Sequence, residues 1–266
     1  MTDPPGPTGP SAPYDLTGAV AVVTGGTKGV GRGITTCLLA AGAEVVIAAR
    51  HEPDTVVAAG GRTAAFTRAD VRDPEQAAAV VAFAVERFGR LDVLVNNAGG
   101  APRADTATAS ARFSESIVRL NLLAPLYLAQ AANAVMQHQP AGGVIVNIAS
   151  VSGTRPSPGT AAYGAAKAGL LNLTTTLAVE WAPKVRVNAV TPGLIETEQS
   201  HLHYGDAEGV AAVARTVPML RMGTPTDVGN ACVFLASPAA AYVSGANLVV
   251  HGGGERPAYL DAATAD

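Results

Sequence analysis

Lysine is scarce in this chain of 266 residues. It stands only at positions 28, 167 and 184, and the other basic side chains are arginines. A lysine kept against that preference marks a place where arginine would not serve, because the ammonium is compact and its pKa is easily moved. Long apolar runs are also lacking. None approaches the ~20 residues of a membrane span. No basic run occurs and the net charge is -3, which argues against nucleic acid as the main partner. Cysteine appears twice, at Cys37 and Cys232. Their wide separation in helical-looking segments argues against a metal or disulfide pair and for buried thiols. The opening MTDPPGPTGPSAPYD lacks the charged start and apolar centre of a signal peptide. Residues 1–14 read instead as a flexible Pro-rich tail. These absences lead to the expectation of a cytoplasmic protein.

What is present is ample material for a core: 48% hydrophobic residues against 15% charged. Nearly continuous apolar runs at 19–24, 44–48, 63–69, 92–96, 143–149, 185–190 and 247–250 read as strands covered on both faces. Helical patterns fill the gaps near 30–41, 74–88, 111–138, 160–181 and 225–236. Such alternation predicts an α/β fold, a doubly wound domain with a seven-stranded, mostly parallel sheet flanked by helices. One domain over 15–254 and a tail over 255–266 are expected. The second crossover, ARHEPDTVVAAGGR, has room for only a stunted helix.

The first strand runs into VVTGGTKGVGRG, with Gly25, Gly29 and Gly31 spaced G-x-x-x-G-x-G. A sharp turn without Cβ atoms lets a diphosphate approach the backbone and meet the N–H groups of the next helix. Glycine spacing alone also suits any tight turn. Thr27, Lys28 and Val30 complete the candidate phosphate loop. The second strand ends IAARH, with Arg50 and His51 where NAD sites carry an acid for the ribose 2′-hydroxyl. Arg50, with Lys28 as a second cation, points to the 2′-phosphate of NADP. By itself Arg50 reads equally as a loop charge.

AAYGAAKAGL sets Tyr163 and Lys167 four apart, on one face of a helix. An ammonium nearby lowers a phenol's pKa, which a tyrosine needs in order to exchange protons near neutrality. Ser150 ends the strand before them, on the side of the sheet where ligands bind.

With TGGTKGVG, NNAG, RLNLLAPLYL, IVNIAS before YGAAK, VRVNAVTPG and YVSGANLVVHGGG in this order, the chain resembles the short-chain dehydrogenase/reductases over about residues 16–253. The resemblance implies a Rossmann-type oxidoreductase and assigns roles by position. Tyr163 is the general acid/base. Lys167 lowers its pKa and binds the nicotinamide ribose. Ser150 holds the substrate oxygen, and Asn121 links a water to the lysine. Asn97, Ala98 and Gly99 flank the adenosine, with Asp70 and Val71 by the adenine. Pro192, Gly193, Ile195 and Thr197 lie by the nicotinamide, and Thr24 steadies the glycine turn and the NNAG segment.

His251 replaces a common Asp and is expected away from the chemistry. Residues 194–217 are the expected substrate lid, with Ser152, His201, His203 and Tyr204 as pocket candidates and Ala101, Pro102 and Met219 beside them. No third ligand joins the H-x-H pair, so no metal is expected. Arg103 and Arg155 read as solvated loop charges. The expected activity is NADP(H)-dependent interconversion of a carbonyl and a secondary alcohol, in a homotetramer or homodimer. The alternatives are an NAD-dependent dehydrogenase or a non-catalytic nucleotide sensor.

Overall fold

Valine-rich runs, stiff at χ1 and at home on a pleated surface, form the sheet. The computed structural model describes residues 13–262. The expected N-terminal tail lies outside them except for Pro13 and Tyr14, as do the last four residues of the C-terminal one. In chain order the elements are β1 (Val20–Thr24), α1 (Gly29–Ala40), β2 (Glu44–Ala49), β3 (Ala58–Ala59), β4 (Arg62–Thr63), β5 (Ala65–Arg68), α2 (Pro74–Phe88), β6 (Val93–Asn96), α3 (Ala111–Val118), α4 (Ala124–Met136), β7 (Gly143–Ile148), α5 (Ala161–Glu180), β8 (Val185–Pro192), α6 (His201–Tyr204), α7 (Ala207–Thr216), α8 (Pro225–Ala236), β9 (Asn247–Val250) and α9 (Ala258–Ala262).

Seven strands pair in the order β5-β2-β1-β6-β7-β8-β9, and every pairing in this sheet is parallel. The chain reverses its direction of travel between β1 and β6. The carboxyl ends of those strands therefore frame a crevice where ligands bind in such sheets. Alternate strand residues feed opposite cores. Val20, Val22 and Leu94 face α2 and α4, while Ala21, Val23 and Val95 face α1 and α8. Each buried Val or Leu contributes roughly 1.5–3 kcal/mol, so the crevice sits on a rigid platform. No helix among the described residues is long and apolar enough to cross a membrane.

Two expectations change. The second crossover holds no stunted helix. Ala58–Ala59 and Arg62–Thr63 form a minimal antiparallel hairpin instead, with Gly60 and Gly61 both at positive φ in its turn. The preceding loop is held from α1, where Arg32 donates to the carbonyls of Thr55 and Val56 at 3.2 and 3.4 Å. The single helix read over 111–138 is two helices joined by a π-helical turn at Arg119–Leu123, closed by the Ala124 N–H on the Arg119 carbonyl. Pro125 follows at once and has no N–H for the regular ladder. π turns often mark functional sites, and Asn121 lies in this one.

The two thiols sit on neighbouring helices, Cys37 on α1 and Cys232 on α8, and both are free. Cys232 is buried and Cys37 only half-buried; burial raises both pKa values, so neither is a ready nucleophile.

Candidate active site

The glycine turn is built by contact. A Cβ at Gly31 would stand 2.2 Å from the Gly25 carbonyl oxygen, and one at Gly25 would press on Asn97 and Ala98. Gly25 and Gly29 also have φ of 65° and 53°, a region that favours glycine. Gly29 is open on its outer side, where only the Thr197 side chain comes within 4 Å of the Cβ position. Thr24 joins the turn to the segment after β6. Its hydroxyl accepts from the N–H groups of Asn97 and Ala98 at 3.0 and 2.9 Å, while Asn97 Nδ2 donates to the Thr24 carbonyl at 2.8 Å. Lys28, at the N-cap of helix α1, makes no cap hydrogen bond, and the first turn holds no acid. A helix start with no cap from its own segment, above side-chain-free backbone, suits the diphosphate of a dinucleotide. Gly31→Ala is expected to cost about 1–3 kcal/mol from overpacking and to abolish cofactor binding, measured by urea melts and NADPH fluorescence.

Lys28, Arg50 and His51, expected toward the adenosine, are exposed. Arg50 lies near enough to Asp70 to lower its carboxyl pKa, although the Arg72 guanidinium bonded to Asp70 lowers it more. Val71 is buried beside them.

Four polar groups meet between β6, β7, the π turn and α5. Asn121 is fully buried. Its Nδ2 donates to the carbonyls of Ile117 and Gly100 at 2.9 and 3.0 Å, and its Oδ1 accepts from the Gly100 N–H at 2.9 Å. Gly99 is glycine because a Cβ there would stand 2.6 Å from Asn121 Oδ1 and 3.3 Å from Lys167 Nζ. Lys167 is 3% exposed, donates to the Ile148 carbonyl at 2.7 Å, and lies 5.7 Å from the Tyr163 ring centre. Burial drives its pKa down to about 8.

Tyr163 departs from the sequence reading. Its pKa is raised by burial, and the opposing pull is a hydrogen bond with Ser150. Burial is the largest cause of this shift, and Lys167, whose ammonium donates to the Ile148 carbonyl and lies beside the ring, is not among its causes. Ser150 also accepts from the Ser152 N–H at 3.2 Å.

At the end of β8 Pro192 pairs with Val250, and beyond it Ile195 and Thr197 are partly buried. His251 is not remote from this segment, since a Cβ at Gly193 would meet His251 Cβ at 2.6 Å. The lid range contains α6 and α7. His201 and His203 are exposed and Tyr204 is half-buried. Burial raises the Tyr204 pKa, with a further rise from Glu255 and an opposing effect of Arg155. Arg155 is exposed, as expected, and pairs with Glu255 of the C-terminal segment. Arg103 lies over Gly159.

A pocket opens beside Tyr163, lined by Ala101, Pro102, Phe113, Ile117 and Thr160. Ser152 and Arg155 line a separate, more open hollow, and Met219 is exposed. Phe113 and Ile117 were missed by the sequence reading, although their spacing on the 111–138 pattern put them on one helical face. A buried chain was missed as well. Asn96 donates to Asn147 at 2.9 Å, and Asn147 donates to the Thr174 hydroxyl at 2.9 Å, tying β6 and β7 to α5. Among the described residues no three His, Cys, Asp or Glu side chains converge on a metal position.

A family model described as enoyl-(acyl carrier protein) reductase matches residues 25–255. An uncharacterized oxidoreductase of Mycobacterium tuberculosis is 38% identical over 245 residues, 90% of this chain and 93% of that protein. The 2-dehydro-3-deoxy-D-gluconate 5-dehydrogenase of Escherichia coli is 36% identical over 90% of this chain and 96% of its own. The ligand-free aldohexose dehydrogenase of Thermoplasma acidophilum superposes with a TM-score of 0.84 at 30% identity, covering 91% of this chain and 96% of that one. A glycine turn at the switch point of a 3-2-1-4-5-6-7 parallel sheet, with this breadth of likeness, identifies the chain as a member of the short-chain dehydrogenase/reductase family, a nicotinamide-dependent oxidoreductase acting on the CH–OH/C=O couple.

Proposed function

We propose that the enzyme uses NADP(H) to interconvert a ketone and a secondary alcohol, with Tyr163 as general acid/base. The observation that carries this reading is the convergence of Tyr163, with buried Lys167 5.7 Å from its ring centre and Ser150 close enough to pull its pKa down against burial, on a site backed by buried Asn121. NADP(H), when bound on the glycine turn, supplies or accepts the hydride. Ser150 holds the substrate oxygen. Tyr163 gives its proton to that oxygen in reduction and takes it back in oxidation. Lys167 adds positive charge behind the phenol, and Asn121 carries the proton path onward. The apolar lining at Phe113 and Ile117 favours the hydrocarbon part of a substrate such as an acyl, cyclic or steroid ketone.

Arg50, at the end of β2 with no acid in its place, supports the 2′-phosphate assignment. The second reading, an NAD-dependent dehydrogenase, draws on Asp70, which stands close enough to Arg50 to feel its charge. Arg50→Asp separates the two. A charged hydrogen bond is worth about 1.5–3 kcal/mol, so the substitution should weaken NADPH by about 10–100-fold and leave NADH nearly unchanged. Unchanged NADPH affinity would remove the assignment. Nicotinamide absorbance with each cofactor over a panel of ketones, with Tyr163→Phe as control, tests the activity. No turnover by the wild type on any of them would favour a non-catalytic sensor. A homotetramer in the cytoplasm completes the proposal. Ala161, Ala165, Ala168 and Val179 leave a small, apolar, exposed face on α5 suited to close helix packing.

A further inference from the structure

Helix α1 does not cap itself, but its first N–H is not free. Helices α2, α3, α7 and α8 start on Asp73, Ser110, Asp206 and Thr224, whose side chains accept from first-turn N–H groups. At α1 the Gly29 N–H donates to Glu198 Oε1 at 2.9 Å, a carboxylate 169 residues further on. The segment that carries it is fastened. Glu196 N–H donates to the Gly223 carbonyl at 2.8 Å and Gly223 N–H to the Leu194 carbonyl at 2.9 Å. Thr197 N–H donates to the buried Ser200 hydroxyl at 2.8 Å. The Thr197 methyl faces Gly29, 3.7 Å from where a Cβ would stand. Glu198 therefore reaches the glycine turn from an anchored strap, across its one open side.

We propose that Glu198 is an internal stand-in for the cofactor's diphosphate. It holds the strap over the glycine turn until the cofactor displaces it, and so sets cofactor affinity. This rests on the reading of the turn as the dinucleotide site. A helix start carries about half a positive charge and satisfies one anion at a time. A carboxylate and a diphosphate on the same N–H groups repel each other. Binding of either cofactor must then break the Gly29–Glu198 bond and move the carboxylate away. The effect is blind to the 2′-phosphate and acts equally on NADPH and NADH, unlike that of Arg50.

The test is titration of the full chain with NADPH and NADH, by fluorescence and calorimetry, for wild type, Glu198→Ala and Glu198→Gln. Hydrogen exchange over residues 194–200 in cofactor-free protein is the second readout. Glu198→Ala should bind both cofactors about tenfold tighter and exchange faster over 194–200. Glu198→Gln, which keeps a hydrogen-bonding oxygen without the charge, should fall between. Inorganic pyrophosphate, which displaces Glu198 but carries no nicotinamide to reach the strap, should speed exchange over that segment in the wild type, and should bind Glu198→Ala more tightly than wild type. Unchanged or weaker cofactor binding by Glu198→Ala, in a wild type that binds cofactor, would overturn this proposal alone. A wild type that binds neither cofactor would overturn it together with the reading of the turn.

Discussion

Tyr163→Phe is expected to lower turnover by about 10²–10⁴-fold, the usual worth of a positioned acid or base, while the affinity for cofactor stays within a few-fold. The argument starts from burial. The phenol is held above its ordinary pKa by desolvation, and its hydrogen bond to Ser150 pulls the other way. Near neutrality it therefore carries its proton, the state needed to give one to a developing alkoxide. Reduction of a ketone starts from that state directly, whereas oxidation of an alcohol must first strip it. Phenylalanine keeps the ring and its packing against Lys167 and removes only the hydroxyl. A loss of kcat without loss of fold or cofactor binding thus isolates proton transfer. Steady-state turnover, circular dichroism and NADPH titration on the same preparation measure the three quantities. Wild-type kcat in Tyr163→Phe would exclude Tyr163 as the acid/base and turn attention to Tyr204 on the lid. Ser150→Ala should act in the same direction by about 10-fold or more, since it removes the partner that orients the phenol.

How legible this site was in the sequence depends on what kind of contact each residue makes. The seven strands read true because their residues are apolar on both faces, and Val22 and Val23 prefer a strand wherever they pack. The pair Tyr163 and Lys167 read true as geometry, because a helix fixes the face that residues four apart share. The second crossover misread because a loop of that length can close in two ways. Arg32 decides it by bonding the carbonyls of Thr55 and Val56 from a helix that local sequence does not include. The π turn escaped because its cause is spread out: Pro125 withholds an N–H while Asn121 reaches back to Ile117 and across to Gly100. Arg155 and Glu255, 100 residues apart, and Glu198 with Gly29 are pairings that no local pattern announces. The Tyr163 pKa was misjudged for the same reason. Proximity to an ammonium follows from spacing, but the burial that raises the phenol's pKa does not.

Lys167→Met should change both the chemistry and the pH dependence of stability, and the second effect has a definite sign. Burial lowers the lysine from near 10.5 to about 8 in the folded chain. Below pH 8 both folded and unfolded chains hold the proton, and the folded state bears the full cost of a buried cation. Between pH 8 and 10.5 the unfolded chain still holds a proton that the folded chain has released, so stability rises with pH across that window. At 1.36 kcal/mol per pKa unit the gain from pH 8 to 10 is about 2 kcal/mol. Tyr163, held high when folded, stays protonated in both states below about pH 10 and does not disturb the reading. Methionine fills the same cavity and cannot titrate. Urea melts of the cofactor-free protein at pH 7.5, 9 and 10 should show wild type gaining about 2 kcal/mol relative to Lys167→Met, on top of a fall common to both as Cys37 and Cys232, held high by burial, ionise first in the unfolded chain. The variant should also lose about 10²-fold in turnover at pH 7.5, because the ammonium proposed to hold the nicotinamide ribose and stand in the proton path is gone. A wild-type curve parallel to the variant's would mean that the ammonium is solvated and not sealed behind Gly99. Full activity in the variant would remove Lys167 from proton transfer altogether, and would leave its retention in a chain that mostly uses arginine to the Ile148 carbonyl alone.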